Sequence, residues 1–311
     1  MTGMKIVLPT TFSDPSLPVL RDDPILTAGS LLLVDPAHPA KQWPAGVPAN
    51  NGTVPNLAWK EAVAAIGSGT ESALAAVIER SSAITGALGL VERSAKGGLH
   101  VILSATTLLA SGQGVAIRPG QPVIDYMVAN PNHAYFFSLW FKGTRFTNGN
   151  GAPHSFTLSS TQDTSNLWFV NNSAGPGSFP ITGAGSKNLG SRRSLTDLRT
   201  GTNPALTPPY SSPVIFNGAV SGYTGTPALT GAAALAKNKV FNAGNIDWFK
   251  EGATVAAASR LFWRAYIEDL TVSGRSYQQV DGIDFAEYQK QVLTTGGRYH
   301  GDTYTDPATI A

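Results

Sequence analysis

The sequence predicts a mainly β protein, a sandwich of two facing sheets, and three observations carry that expectation. Ser259–Val280 opens with strict alternation: Leu261, Trp263, Ala265 and Ile267 on one side, Phe262, Arg264, Tyr266 and Glu268 on the other. That is the period of a strand, and large apolar groups on both sides place it inside a sheet covered on each face. Second, short apolar runs recur throughout the chain after Gly97. Third, only 14% of the 311 residues are charged, while glycines number 33 and prolines 21, the make-up of a turn-rich chain.

Residues 1–55 hold nine of the prolines, a density that works against helix and central strand. Ile6–Leu8, Leu31–Val34 and Trp43 nonetheless give this leader apolar anchors. The expectation is an extended N-terminal arm whose Leu31, Leu32, Leu33 and Trp43 dock on its own domain or on a neighbouring subunit, with the neighbour favoured.

Residues 56–96 read as a short helical pair. Trp59, Val63 and Ile66 recur at helical spacing before Gly67. Ser68 and Glu71 have capping-box spacing ahead of Leu74, Val77, Ile78 and Ile84.

Residues 97–295 form the predicted sandwich. Strands are expected at Leu99–Leu103, Pro122–Val128, His133–Phe146, Ser155–Leu158, Leu167–Val170, Val214–Phe216 and Lys239–Phe241. In the third of these, Tyr135, Phe137, Leu139 and Phe141 share one face, Phe136 and Trp140 the other. Irregular spacing with long Gly/Ser/Asn loops, 171–213 above all, points to a jelly roll rather than an up-and-down barrel. Ser276 and Gln279 make a second capping box, starting a C-terminal helix that ends near Thr295 with Gly296 as cap. Residues 296–311 remain as a tail, frayed or docked.

Composition narrows the chemistry. Without cysteine there is no disulfide, thiolate metal site or cysteine nucleophile. A net charge of +2 gives no argument for nucleic acid, and the small cluster Arg192, Arg193 and Arg199 reads as a solvated or interface loop. The N-terminus has no apolar signal region and no run approaches the ~20 residues of a membrane span, so no membrane insertion is expected. His38, His100, His133, His154 and His300 show no metal-site pairing. Neither a G-x-S-x-G elbow nor a phosphate loop is present. Glu268 and Asp269 are adjacent and should point to opposite faces, unlike the paired carboxylates of a glycosidase. Asp281, Asp284 and Glu287 share one side of the helix, read as a solvated face. No catalytic residue, cofactor or metal ligand is therefore assigned. A glycan needs an aromatic surface and a few polar groups; Trp168 with Asn171 and Asn172, or Tyr223, are the candidates for such a partner loop.

Two stretches carry a resemblance. FWRAYIEDLTVSGRSYQQVDGIDFAEYQ, starting at Phe262, looks like the last strand and following segment of a concanavalin A-like (laminin-G-like) jelly-roll domain. FFSLWFK, Phe136–Lys142, resembles an early strand of the same family. With the Pro-rich leader, the chain resembles such domains in tailed-phage and prophage virion proteins, over roughly residues 97–290. The resemblance implies a concanavalin A-like jelly-roll β-sandwich in a non-enzymatic virion structural protein of the tail tip or baseplate. Such a protein would act in assembly and host attachment as a homo-oligomer, with a trimer expected. Its partners would be other virion proteins and a host surface glycan. Calcium, common in this family, would call on Asp163, Asn166, Asn171 and Asn172, but the D-x-[DN]-x-[DN]-G loop is missing. The alternatives are a head decoration protein and a polysaccharide-degrading jelly-roll enzyme.

Overall fold

The computed structural model describes residues 21–145, 154–159, 166–171, 181–182, 187–193, 213–225, 231, 238–246, 249–250 and 257–310; for 154–159, 166–171, 181–182, 193 and 249–250 it describes the backbone. In chain order the strands are β1 (Ser30–Val34), β2 (Gly52–Val54), β3 (Ala76–Arg80), β4 (Gly89–Arg93), β5 (Leu99–Leu103), β6 (Gln113–Arg118), β7 (Tyr135–Arg145) and β8 (His154–Ser159). They continue with β9 (Asn166–Asn171), β10 (Ile181–Thr182), β11 (Asn188–Arg193), β12 (Pro213–Val220), β13 (Phe241–Ile246), β14 (Phe249–Lys250) and β15 (Ser259–Asp269). The helices are α1 (Trp59–Ile66), α2 (Gln121–Ala129) and α3 (Tyr277–Tyr288).

The pairing is antiparallel. A seven-stranded sheet runs β11-β12-β7-β15-β5-β4, with β1 also on β15; a five-stranded sheet runs β14-β13-β6-β3-β2; a three-stranded sheet runs β10-β9-β8. The two larger sheets share one apolar core, in which Tyr135, Phe137, Phe141, Phe262 and Ile267 of the first meet Ile78, Val115, Ile117 and Phe241 of the second. The Phe241 and Phe262 rings stand 5.2 Å apart. The antiparallel sheets match the mainly β expectation.

The other face of the larger sheet is covered too. Phe136, Ala219 and Tyr266 pack with Tyr277 and Val280 of α3, and Trp140, Ile215, Leu261 and Trp263 pack with Tyr288, Val292 and Tyr299. β7 and β15 therefore bury large side chains on both sides, and β15 is fully buried along its length. On β7 the expected faces are the observed ones. On β15 the alternation fails halfway, because Phe262 pairs with Phe141 and Arg264 already with Trp140. The extra residue is a bulge that turns Trp263 and Arg264 to the same side. Phe262, Ala265 and Ile267 thus face the core, and Trp263, Arg264, Tyr266 and Glu268 the outer layer.

Other expectations are corrected. Leu31–Val34 is no arm: its proline-free window forms β1, which pairs with β15 through Leu32↔Ile267 and Val34↔Ala265. The buried Asn56 side chain serves β1's other edge, accepting from Leu33 N at 2.9 Å and donating to Leu31 O at 2.9 Å. Both edges are thus hydrogen-bonded. The helix expected over Leu74–Ile84 is the strand β3, where Val77 and Ile78 suit a pleated surface between β2 and β6. Glu71 pairs with Lys41 instead of closing a capping box. The strand expected at Pro122–Val128 is α2, for proline fits a first helical turn and Val123, Ile124 and Met127 fall on one buried face. α1 ends at Gly67 in the left-handed conformation (φ 83°), as expected, and the Ser276–Gln279 capping box is formed.

The tail is docked on its own subunit. Tyr299 O–H donates to Asp35 at 2.5 Å, Asp302 accepts from Trp263 Nε1 at 3.0 Å and Ser94 Oγ at 2.6 Å, and Thr305 Oγ1 donates to Glu92 at 2.7 Å. Among the described residues no helix is long and apolar enough to cross a membrane.

Candidate functional site

The outer face of the larger sheet carries a layer of buried polar groups, set by side chains that point away from the common core. Neighbouring register rows bring together Ile215, Trp140 and Arg264, and next to them Asn217, Ser138 and Tyr266. α3 lays Asp281 and Asp284, one helical turn apart, across these rows. Asp284 accepts from Ser138 Oγ at 2.6 Å, Trp140 Nε1 at 3.0 Å and Asn217 Nδ2 at 3.1 Å. Asp281 accepts from Asn217 Nδ2 at 3.0 Å and takes both ends of the Arg192 guanidinium at 2.6 Å. Arg192 also lies 4.0 Å over the Phe285 ring. The expected solvated face of this helix is thus a buried one: Asp284 is sealed from solvent. Burial raises its pKa, while its donors and Arg264 pull the other way.

Arg264 is fully buried at the centre of this layer. It grips Asp23 with two bonds of 2.7 and 2.9 Å, stands 3.6 Å from Asp35 and stacks 4.6 Å from the Trp140 ring centre. Burial would raise the Asp23 pKa, but the Arg264 charge and hydrogen bonds, helped by His38, hold it well below the usual carboxylate range. Arg298 adds a bond to Asp35 at 2.8 Å. Farther along β15, Glu268 is held by Arg275 and by Tyr266 O–H at 2.8 Å.

Asp269 points to the opposite side from Glu268, as expected of neighbours in a strand. It accepts from His133 Nδ1 at 2.6 Å and Tyr126 O–H at 2.9 Å, and caps the helical turn Leu270–Ser273 through Thr271 and Val272 N–H. A histidine oriented by a buried carboxylate is two-thirds of a nucleophilic triad. Among the described residues, however, no hydroxyl reaches its Nε2, and the carboxylate is shared with Tyr126 and two backbone amides. The arrangement fixes the junction of β7 and β15.

The candidate partner loop is not assembled among the described side chains. Tyr223 is buried in the main core, its N–H donating to Pro131 O at 2.8 Å. Trp168 and Asn171 lie on β9, described by its backbone, and Asn172 lies outside the described residues, as do Asp163 and Arg199. Asn166, on β9, is likewise described by backbone alone. Leu31, Leu32, Leu33 and Trp43 are buried in their own subunit, so they are not surface anchors; Trp43 stacks on Phe262 at 6.1 Å under the Arg93 guanidinium. No group of three or more His, Asp or Glu poised for a metal occurs among the described residues.

Two hollows are bordered by the leader, one of them against α1, and sequence reasoning had no signal for either. One, of about 270 Å³, lies between the Arg21–Leu26 segment and Trp59–Glu61. The other, of about 540 Å³, lies between Lys41–Pro44, Thr53–Pro55 and Thr70–Ala75. Lys41 borders both. Their walls bring together segments apart in the sequence, which local patterning does not encode. No family model, curated protein or solved structure matches the chain.

Proposed function

We propose that the chain is a non-enzymatic structural protein of a tailed-phage or prophage virion, at the tail tip or baseplate. Its concanavalin A-like jelly-roll body would serve assembly and attachment to a host surface glycan. The observation that carries this reading is the placement of the two resembling stretches. Phe136–Lys142 and Phe262–Asp269 lie on β7 and β15, adjacent strands in the middle of the larger sheet, paired from Asp269↔Tyr135 to Phe262↔Phe141. The helix α3, in the later part of the second stretch, packs back on their outer face.

The disposition of the acids supports the same reading. Asp23, Asp35, Glu268, Asp269, Asp281 and Asp284 are buried and each is engaged by side chains of the body, which suits a rigid scaffold. Glu268, the residue a polysaccharide-degrading alternative would nominate, is closed off by Arg275 and Tyr266. Closed symmetric assembly, with a trimer proposed, would let weak sites on several copies sum to firm adhesion. Because the leader from Arg21 onward belongs to its own body, subunit contacts in that assembly would use other surfaces.

Immunogold labelling of intact particles with antibody to the chain, followed by image averaging, tests the placement. Label at the tail tip or baseplate is the expected outcome. Label confined to heads, or absent from particles, would overturn it.

A further inference from the structure

The smaller hollow beside α1 has the composition of a saccharide site. Its volume, about 270 Å³, falls just below the roughly 300–1,000 Å³ of sites for drug-sized ligands, which suits a single sugar ring. Trp59, half-buried against the core, and Leu57 supply the apolar part of the wall. Around it stand the cations Arg21, Lys41 and Lys60 and the acids Asp22 and Glu61.

Lys41 pairs with Glu71 and Arg21 Nε with Glu61, which leaves Lys60, Asp22 and the end of the Arg21 guanidinium to a ligand. Arg21 offers Nε to Glu61 at a long 3.4 Å. Its two terminal nitrogens have no partner among the described residues, so the planar fork that matches a carboxylate is open. Neither Asp22 nor Lys60 has a hydrogen bond or ion pair with another described residue. Lys60 Nζ stands 5.8 Å from the Trp59 ring centre, which places a cation beside the aromatic surface. Lys41 also borders the larger groove, about 540 Å³, whose lining includes Gln42, Thr53, Thr70 and Ser72.

Resting on the attachment reading, we infer that this hollow binds the carboxylate-bearing residue of an acidic surface glycan. The Arg21 fork and Lys60 take the carboxylate, Asp22 accepts from ring hydroxyls, and Trp59 offers its surface to the sugar. The neutral residues that follow lie along the groove.

Calorimetric titration of the full chain with two probes tests the assignment: a glucuronic acid–N-acetylglucosamine tetrasaccharide and a sialic acid-capped trisaccharide, each also in carboxyl-reduced form. At least one acidic probe should bind, and carboxyl reduction, Arg21→Gln or Lys60→Gln should each weaken it about tenfold, the scale of a hydrogen bond to a charged group. Circular dichroism of the variants should match the unaltered chain, since both side chains lie at the surface. Binding of neither acidic probe overturns the assignment, as does equal affinity for the reduced forms or for both variants. Adsorption of the purified chain to host cells separates the two readings. Adsorption that survives both substitutions refutes the hollow and keeps attachment; failure of the unaltered chain to adsorb refutes attachment itself.

Discussion

Arg264 and Asp23, 241 residues apart in sequence, form a two-bond ion pair of 2.7 and 2.9 Å that is closed to solvent. The pair joins the start of the described chain to its central strand. The bulge at Trp263 and Arg264 is what aims the guanidinium at the outer layer, where Asp23, Asp35 and Trp140 await it.

Removing one member leaves a buried charge without its main partner. Asp23→Ala and Arg264→Met should each lower stability by about 3–5 kcal/mol. Urea denaturation measures this, and the double variant should cost clearly less than the two single losses together.

Deleting residues 1–55 should abolish the fold and not merely an assembly contact. It removes β1 from the edge of β15, β2 from the smaller sheet, Trp43 from the core and both carboxylates around Arg264. Size exclusion and circular dichroism should find an aggregated or unfolded product; a monodisperse β-rich product would refute the account of the leader.

Tyr299→Phe deletes the 2.5 Å bond to Asp35 and keeps the ring stacked 5.7 Å from Trp263. Asp35 retains Arg298. The expected loss is about 1.5–3 kcal/mol, the range for a hydrogen bond to a charged group, read as a shift in the urea midpoint at unchanged slope.

Acid should destabilise the protein in two steps. Burial lowers the His100 pKa, against the pull of Glu92 and Asp302, with Lys142 adding to the lowering. The unfolded chain therefore binds a proton before the folded one does, and stability falls as pH drops below about 6.5. Asp23 and Glu92, held below their ordinary values, contribute stability above about pH 4 that is lost on further acidification. Asp284, raised by burial, runs in the opposite sense: its contribution is present in acid and lost as pH rises through its folded pKa. His100→Gln should flatten the melting profile between pH 5 and 7 and leave the lower step in place.

What the sequence made legible was the alternation of β7, the double-sided burial of β15 and the local stop and start signals at Gly67 and Ser276. Each is written in neighbouring residues. The bulge was not legible, because no residue type marks it, and it inverted half of one strand's faces. β3 and α2 were exchanged in type: Leu74–Ile84 has helical spacing but pairs with β2 and β6, and Pro122 sits where a helix tolerates it. Asp281 and Asp284 read as surface acids because their partners, Arg192 and Asn217, are distant in sequence. For the same reason the two hollows bordered by Lys41 left no local trace.

The junction of Asp35 with Tyr299 and Arg298 has a mechanical corollary. It fastens the leader to the tail on the outer side of the larger sheet, beside the Asp23–Arg264 and Trp263–Asp302 contacts that tie the same two segments to β15. A pull on either segment therefore loads the central strand directly, and the leader and tail share that load with each other through side-chain bonds instead of a backbone ladder of their own.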